Sequence, residues 1–540
     1  MIMKPIVKTI IFASFAALAT SCTDLDVPVK SQYTQYPSSE VAVEAQMADV
    51  YYHLRGTYGR RYNEAQELSS DEWIGVSFDG DYYDDGTYAN TSLHDFKATD
   101  QSIGWYDDVA AGISKANRVI VNMGGDDADP SAIAPARAMR AYFHWLLMDS
   151  YGDIPILNGI PADGEAVERQ PRADVARYIE SELKDVIPYL TTEVSDDTYG
   201  KPTRWMAEAL LAKLYINWAV YTASDVTAYD AATATNEKLD DCVALCDDII
   251  QSGQFSISEG ATTYREKFYP NNGSQIKDFI YALPYHTTEA KGLTYARFRT
   301  FRKSNGSFNS YYGMQLSQSC AGNFSMTPEA ADLFTLEGDE RNDHILGGTV
   351  YMYDGTTYAK TTTPFEYKGA VLTFSKDFEF KDKTTLNVGA NVKGWSTGYK
   401  SVKWYLIDDD YKNGRNQSND VPIFRLADII LLKAEAITRG AAATNGATAQ
   451  SLFNEIRSYA HAPLIDHNPS LQEILDERGR ELFDENWRRN DMIRFGTFEN
   501  EYGAHKSDFP NARFEKTRRV FPIPQTVLNE NTNWQQNAGY

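Results

Sequence analysis

Cys22 is the first residue placed for chemistry. Lys4 and Lys8 form a basic start, Thr9 to Ala19 is an apolar run too short to span a bilayer, and Ala19, Thr20 and Ser21 lead into the thiol. That order predicts a signal peptide over 1–21 and a lipid-acylated Cys22 at the head of the mature chain, tethered by lipid rather than by a helix. The alternative is an ordinary signal peptide cut elsewhere, with Cys22 incidental. The second chemistry is aromatic. Tyr (35), Phe (25) and Trp (9) make up 13% of the chain, and many tyrosines stand in Gly- and Asp-rich stretches where no core would form. In Ser70 to Asn90, Trp73 follows Asp71 and Glu72, and Tyr82 and Tyr83 sit among Asp79, Asp81, Asp84 and Asp85. In Gly292 to Arg299, Tyr295, Arg297 and Arg299 alternate, so a strand would put them on one face. These stretches are the candidate binding surfaces.

The remaining reactive residue types point to structure. Cys242 and Cys246 lie four apart in a helical pattern, a geometry that suits a disulfide poorly and lacks the His or Cys cluster of a metal site, so they read as buried helix cysteines. His286, His344, His461 and His467 show no metal spacing, and Asp79, Gly80, Asp81 and Asp84 do not reproduce a calcium loop. No cofactor motif is legible. Glu481, Arg488, Arg489, Asp491 and Arg494 form a dense charge cluster that reads as an ion-pair network clamping the C-terminal segment, with Trp487 as an anchor. With 52 basic against 75 acidic residues, the formal charge is −23, which disfavours nucleic acid, anionic membrane surfaces and strongly acidic ligands unless a local basic patch intervenes.

The elements that must position these residues follow from hydrophobic periodicity. Helices are expected over 38–58, 102–121, 130–151, 172–190, 203–222 and 240–252, and again over 424–439, 448–460 and 470–486. The span 203–222 is apolar nearly all round and should be buried. Ala-rich antiparallel pairs in series resemble tetratricopeptide packing. Between them, residues 254–420 are rich in Gly, Ser, Thr, Asn and Tyr, with short strand-like runs at 279–283, 365–374 and 400–407. The expected fold is mainly α: a tetratricopeptide-like helical scaffold carrying a loop-rich insertion with short β-strands. The expected divisions are 1–21 (signal), 22–253 (N-terminal helical region), 254–420 (insertion) and 421–540 (C-terminal region).

Six stretches carry a resemblance to one family: Cys22 to Pro28 (CTDLDVP), Arg137 to Pro155, Gly200 to Tyr221, Asp420 to Glu435 (DVPIFRLADIILLKAE), Glu477 to Gly496 and Phe521 to Tyr540. In this order, behind such a leader, they resemble the SusD/RagB family of surface-exposed glycan-binding lipoproteins. The resemblance implies a non-enzymatic, lipid-anchored outer-membrane protein. It would capture oligosaccharide and pass it to a partner SusC-like TonB-dependent transporter. The alternatives are a peptide-capturing member of the family, or a glycoside hydrolase using two carboxylates.

Sugar rings offer flat C–H faces to aromatics and hydroxyl rims to polar groups. On the family pattern the ligand residues are expected to be Asp71, Trp73, Asp81, Tyr82 and Tyr83, then Tyr295 and Arg297, then Cys320, Asn323 and Phe324. The alternative places Trp73 in the core, Tyr295 packed beneath its loop and the Asp–Tyr run in a solvated loop. The absence of Trp from Gln315 to Phe324 argues against a broad two-Trp cradle for a helical glucan.

Overall fold

The computed structural model describes residues 40–162, 164–302, 310–311 and 314–540, with side chains left aside at 40–42, 310–311 and 314–315. Cys22, the leader and the CTDLDVP stretch lie outside the described residues. The chain divides into two units, 1–45 and 46–540; of the first, only the start of helix α1 (Glu40–Tyr51) is described.

Six helices build the first part of the scaffold: α1, α2 (Tyr106–Asn122), α3 (Pro130–Tyr151), α4 (Arg172–Val186), α5 (Arg204–Ile216) and α6 (Leu239–Gln251). Their starts are chemically marked. Asp129 accepts from Ser131 N–H with Pro130 in the first turn, and Thr203 accepts from Met206 N–H. Gly152, at φ +79°, ends α3. Helix α3 buries Ala134, Ala138, Tyr142 and Trp145, and α5 is buried along almost its whole length, as its all-round apolar pattern requires. Both free cysteines of α6 are buried.

The chain then leaves the helices and returns to them. Strand β2 (Phe279–Leu283) pairs antiparallel with the later strand β4 (Val421–Arg425), so the two ends of the insertion are bonded together. Between them, β3 (Phe324–Met326) pairs with β1 (Trp73–Gly75), which lies between α1 and α2 in the chain. Four small antiparallel pairs follow, among them Tyr351–Tyr353 with Lys360–Pro364 and Ile345–Leu346 with Lys400–Ser401. The run expected as a strand over 365–374 is three pieces of two residues each, Glu366–Tyr367, Ala370–Val371 and Thr373–Phe374, and that over 400–407 is only Lys400–Ser401. Phe301 packs beneath these hairpins, 5.2 Å from Tyr367 and 6.4 Å from Trp395.

Past β4 the array resumes with α7 (Leu426–Thr438), α8 (Ala449–Tyr459), α9 (Leu471–Glu481) and α10 (Arg488–Phe495). Helix α7 packs on α6, across the insertion in sequence, and also on α8 and α9. The fold is mainly α, as expected. Helix α9 stops at Glu481, five residues before the sequence expectation. Asp484 (φ +59°) and Asn486 (φ +70°) adopt left-handed backbone there, which turns their side chains inward.

Charge holds the C-terminal segment down. Arg425 bonds Asp278, Glu481 and Glu485; Arg478 bonds Asp428 and Asp491; Arg494 bonds Glu435 and Asp491; all are buried. Each of these buried charges meets an opposite one, the condition under which such groups are tolerated. The expected clamp is therefore present at Glu481, Asp491 and Arg494. Arg488 pairs with Asp71, and Arg489 instead donates to the carbonyls of Arg518 and Arg519 and lies 4.3 Å from the Phe521 ring.

Candidate functional site

Three of the expected sugar-stacking aromatics do come together, but inside the protein. Trp73 and Tyr295 are 1% exposed and Phe324 is fully buried. Their rings surround the guanidinium of Arg299 at 5.1, 5.2 and 5.1 Å. Arg299 makes a bidentate pair with Asp484, both contacts 2.6 Å, and a third bond to Asn63. The Trp73 indole also stacks on Phe483 at 5.5 Å. None of these faces reaches solvent, so the ligand role expected for Trp73, Tyr295 and Phe324 is corrected to a core role.

The reason is local. Residues Tyr295–Phe298 form a helical turn, not a strand. In a helical turn the residues four apart share a face, so Tyr295 and Arg299 turn inward together and Arg297 turns away. Likewise β1 is short and covered on both sides: Gly75 lies so near Tyr88 that a β-carbon there would meet Tyr88 Cβ at 2.7 Å. Asp71 is spent on Arg488 at 2.6 and 2.8 Å. Cys320 is buried, and so is Asn323, whose side-chain amide has no hydrogen-bond partner among the described residues.

A second group stays at the surface. The loop from Phe78 to Gly86 leaves the β1–β3 pair, and six of its residues have positive φ: Asp79, Gly80, Tyr82, Asp84, Asp85 and Gly86. Four of these are neither Gly nor Asn, and such backbone persists only where the surroundings over-determine it. Here they do. Asp79 accepts from Lys381 (2.7 Å), Asn387 (3.1 Å) and the Ala390 N–H (3.0 Å), and Lys381 in particular holds its carboxyl down at about 2. Ser77 exchanges backbone bonds with Leu386 and Val388. Asp81 is ion-paired with Arg302, whose guanidinium lies 4.9 Å from both the Phe78 and Tyr82 rings. Tyr82 is half-buried, while Tyr83 is 38% exposed.

Behind the loop, the buried Lys400 ammonium donates to Gly322 O, Phe324 O and Ser325 Oγ at 2.8–2.9 Å, pinning the turn into β3. Gly322 (φ +63°) lets that turn pass against residues 300–302: an added Cβ would fall 2.5 Å from Thr300 O. The surface group is thus Asp79, Asp81, Tyr82, Tyr83 and Arg302, braced by Lys381 and Asn387 from the insertion. Sequence reading named Asp81 and the tyrosines as candidates, with Asp79 beside them; Arg302, Lys381 and Asn387 join 79–83 only through the fold. Nearby in the chain, the half-buried Phe378 and Phe380 stack on each other at 5.5 Å and 11°.

The comparisons agree with this architecture. Residues 277–540 match a model described as the SusD family, and 25–216 one described as starch-binding, associating with outer membrane. The chain belongs to the SusD family. It is 26% identical over 431 residues to the starch-binding protein SusD of Bacteroides thetaiotaomicron, covering 75% of this chain and 72% of that protein. Surface glycan-binding protein A from Bacteroides fluxus superposes with a TM-score of 0.68 at 18% identity, over 93% of this chain and 100% of that one. Its counterpart from B. thetaiotaomicron, solved with laminarihexaose, gives 0.66 at 17%, over 92% and 99%. At these identities the structural likeness speaks for the fold. Among the described residues no helix is long and apolar enough to cross a membrane.

Proposed function

We propose that this SusD-family chain captures a glycan at the surface formed by Tyr82, Tyr83, Asp81 and Arg302. Held at the outer membrane by lipid on Cys22, it delivers that glycan to a TonB-dependent transporter without cleaving it. The observation that carries the reading is Tyr83: an exposed phenol on a loop whose backbone is forced left-handed and bonded to the insertion. Such a ring is pre-set for stacking on a sugar face, with Asp81, Asp79 and Arg302 placed to bond hydroxyls. Names of the relatives support sugar as the ligand class.

The same carboxylates support capture rather than hydrolysis. A glycosidase needs one carboxylic acid that stays protonated near neutral pH. Asp79 is driven the other way by Lys381, and Asp81 is held in an ion pair.

A glycan array probed with the protein lacking its leader tests the proposal. Retention of one or more polysaccharides, recovered with no new reducing ends, is the expected result. Binding to oligopeptides with no glycan retained would favour peptide capture, and released reducing ends would favour an enzyme.

A further inference from the structure

Lys400 is set apart by what it lacks. Among the described residues five lysines are buried: Lys213, Lys267, Lys400, Lys403 and Lys433. Lys213, Lys267, Lys403 and Lys433 meet Asp428, Asp278, Glu485 and Asp247 respectively, at 2.5–2.9 Å. Lys400, 1% exposed, has no ion-pair partner among the described residues. Its three bonds all go to uncharged acceptors: Gly322 O, Phe324 O and Ser325 Oγ. The Ser325 hydroxyl spends its own hydrogen on Thr397 O at 2.8 Å, so it too accepts from Lys400. Three acceptors need three N–H groups, and only the charged amine has three. A neutral amine would leave one oxygen of this set short of a hydrogen.

Nothing on the elements around it offsets that charge. On the segment 297–302, Arg299 is paired with Asp484 and Arg302 with Asp81, and Arg297 is itself positive. Further along its own segment, Lys403 is paired with Glu485. His344 precedes the strand that pairs with Lys400–Ser401, and burial pushes its imidazole well below the usual range, so it stays neutral. Burial accordingly pushes the Lys400 amine down to about 7 from the usual 10.5. The turn that Lys400 holds touches both parts of the capture surface. Asn323 O accepts from the Val76 N–H at 2.8 Å, at the root of the Phe78–Gly86 loop. Ala321 O accepts from Arg302 at 3.4 Å, and an added Cβ on Gly322 would fall 2.6 Å from Arg302 N. Arg302 in turn pairs with Asp81 and lies 4.9 Å from the Tyr82 ring.

We infer that Lys400 is a positioning residue for the capture surface: its ammonium fixes the turn against which Arg302 and the Tyr82–Tyr83 loop rest, and loss of its proton loosens that turn and weakens glycan binding. This rests on the glycan reading above and adds a regulation of that site by pH. Lys400 is buried and acts only through Gly322, Phe324 and Ser325.

The full-length protein purified in detergent is titrated with laminarin and with amylopectin from pH 6 to 9; if neither is bound, the neutral glycan best retained on an array takes their place. These polymers carry no charge in that range, so a pH dependence belongs to the protein. Affinity should fall about threefold or more as pH rises, the scale of one lost hydrogen bond. Lys400→Met should bind weakly at every pH, with no step. Ser325→Ala leaves two acceptors, which a neutral amine satisfies, so its step should be flattened; this variant and the wild-type profile carry the test if Lys400→Met does not fold. A wild-type affinity that is flat from pH 6 to 9, or a wild-type step retained in Ser325→Ala, would overturn the positioning role and leave the glycan reading standing. Binding to no glycan at any pH would overturn both.

Discussion

The guanidinium of Arg299 lies 5.1 Å from the indole of Trp73, and the bidentate bond of Arg299 to Asp484 locks that contact from the far side. A tryptophan on the N-terminal strand, an arginine at the start of the insertion and an aspartate after α9 thus meet at one buried point. Their meeting explains why α9 ends early: Asp484 must leave the helix to face Arg299. It also separates the residues that support the surface from those that form it.

Trp73→Ala should act on stability. Truncating a fully buried Trp costs about 3–5 kcal/mol, and here it also uncovers Arg299. Urea unfolding should show that loss, whereas Trp73→Phe should show a smaller one. A variant that keeps wild-type stability and loses only glycan affinity would return Trp73 to the ligand surface.

Tyr83→Ala should do the reverse. The side chain is exposed, so stability should stay within about 0.5 kcal/mol of wild type. Glycan affinity should drop about tenfold, equivalent to ~1.4 kcal/mol, the scale of an aromatic contact. Calorimetry with the glycan selected on the array measures this, and equal affinities would remove Tyr83 from the site.

His144 should make the fold acid-sensitive. Its Nδ1–H donates to Arg140 O at 2.8 Å and its Nε2 accepts from Leu157 N–H at 3.0 Å, so the neutral ring is the bonded form. Burial pushes its pKa down to about 4 from the usual 6.5. Between those values the unfolded chain binds the proton and the folded one does not, so the contribution is complete above about pH 6.5 and is lost as pH falls toward 4. At pH 5 the loss should be about 2 kcal/mol. Denaturant midpoints measured from pH 7.5 to 5 should fall more steeply for the wild type than for His144→Gln. Parallel curves would show that His144 does not titrate across the transition.

Cys22→Ala should leave the protein soluble or mislocalised and without label from radioactive palmitate. Membrane fractionation with label retained in that variant would refute lipidation at Cys22.

Much of this protein could be read without coordinates. The helical array, the loop-rich stretch and the buried cysteines of α6 follow from periodicity and composition, because each depends on residues near one another in the chain; the C-terminal charge cluster is legible too, but its partners Asp71, Asp278 and Glu435 are supplied by the fold. The family is legible in six short stretches for the same reason. Which aromatics face water was decided by the tertiary structure alone. Trp73, Tyr295 and Phe324 carry the same local signature as Tyr83, yet the first three are enclosed by Arg299, Asp484 and Phe483, drawn from positions up to about four hundred residues away. Burial is a property of long-range contacts, and so is the pairing of a charge. That is why the bracing of Asp79 by Lys381 and the bond between Arg302 and Asp81 emerge only once the chain has closed on itself.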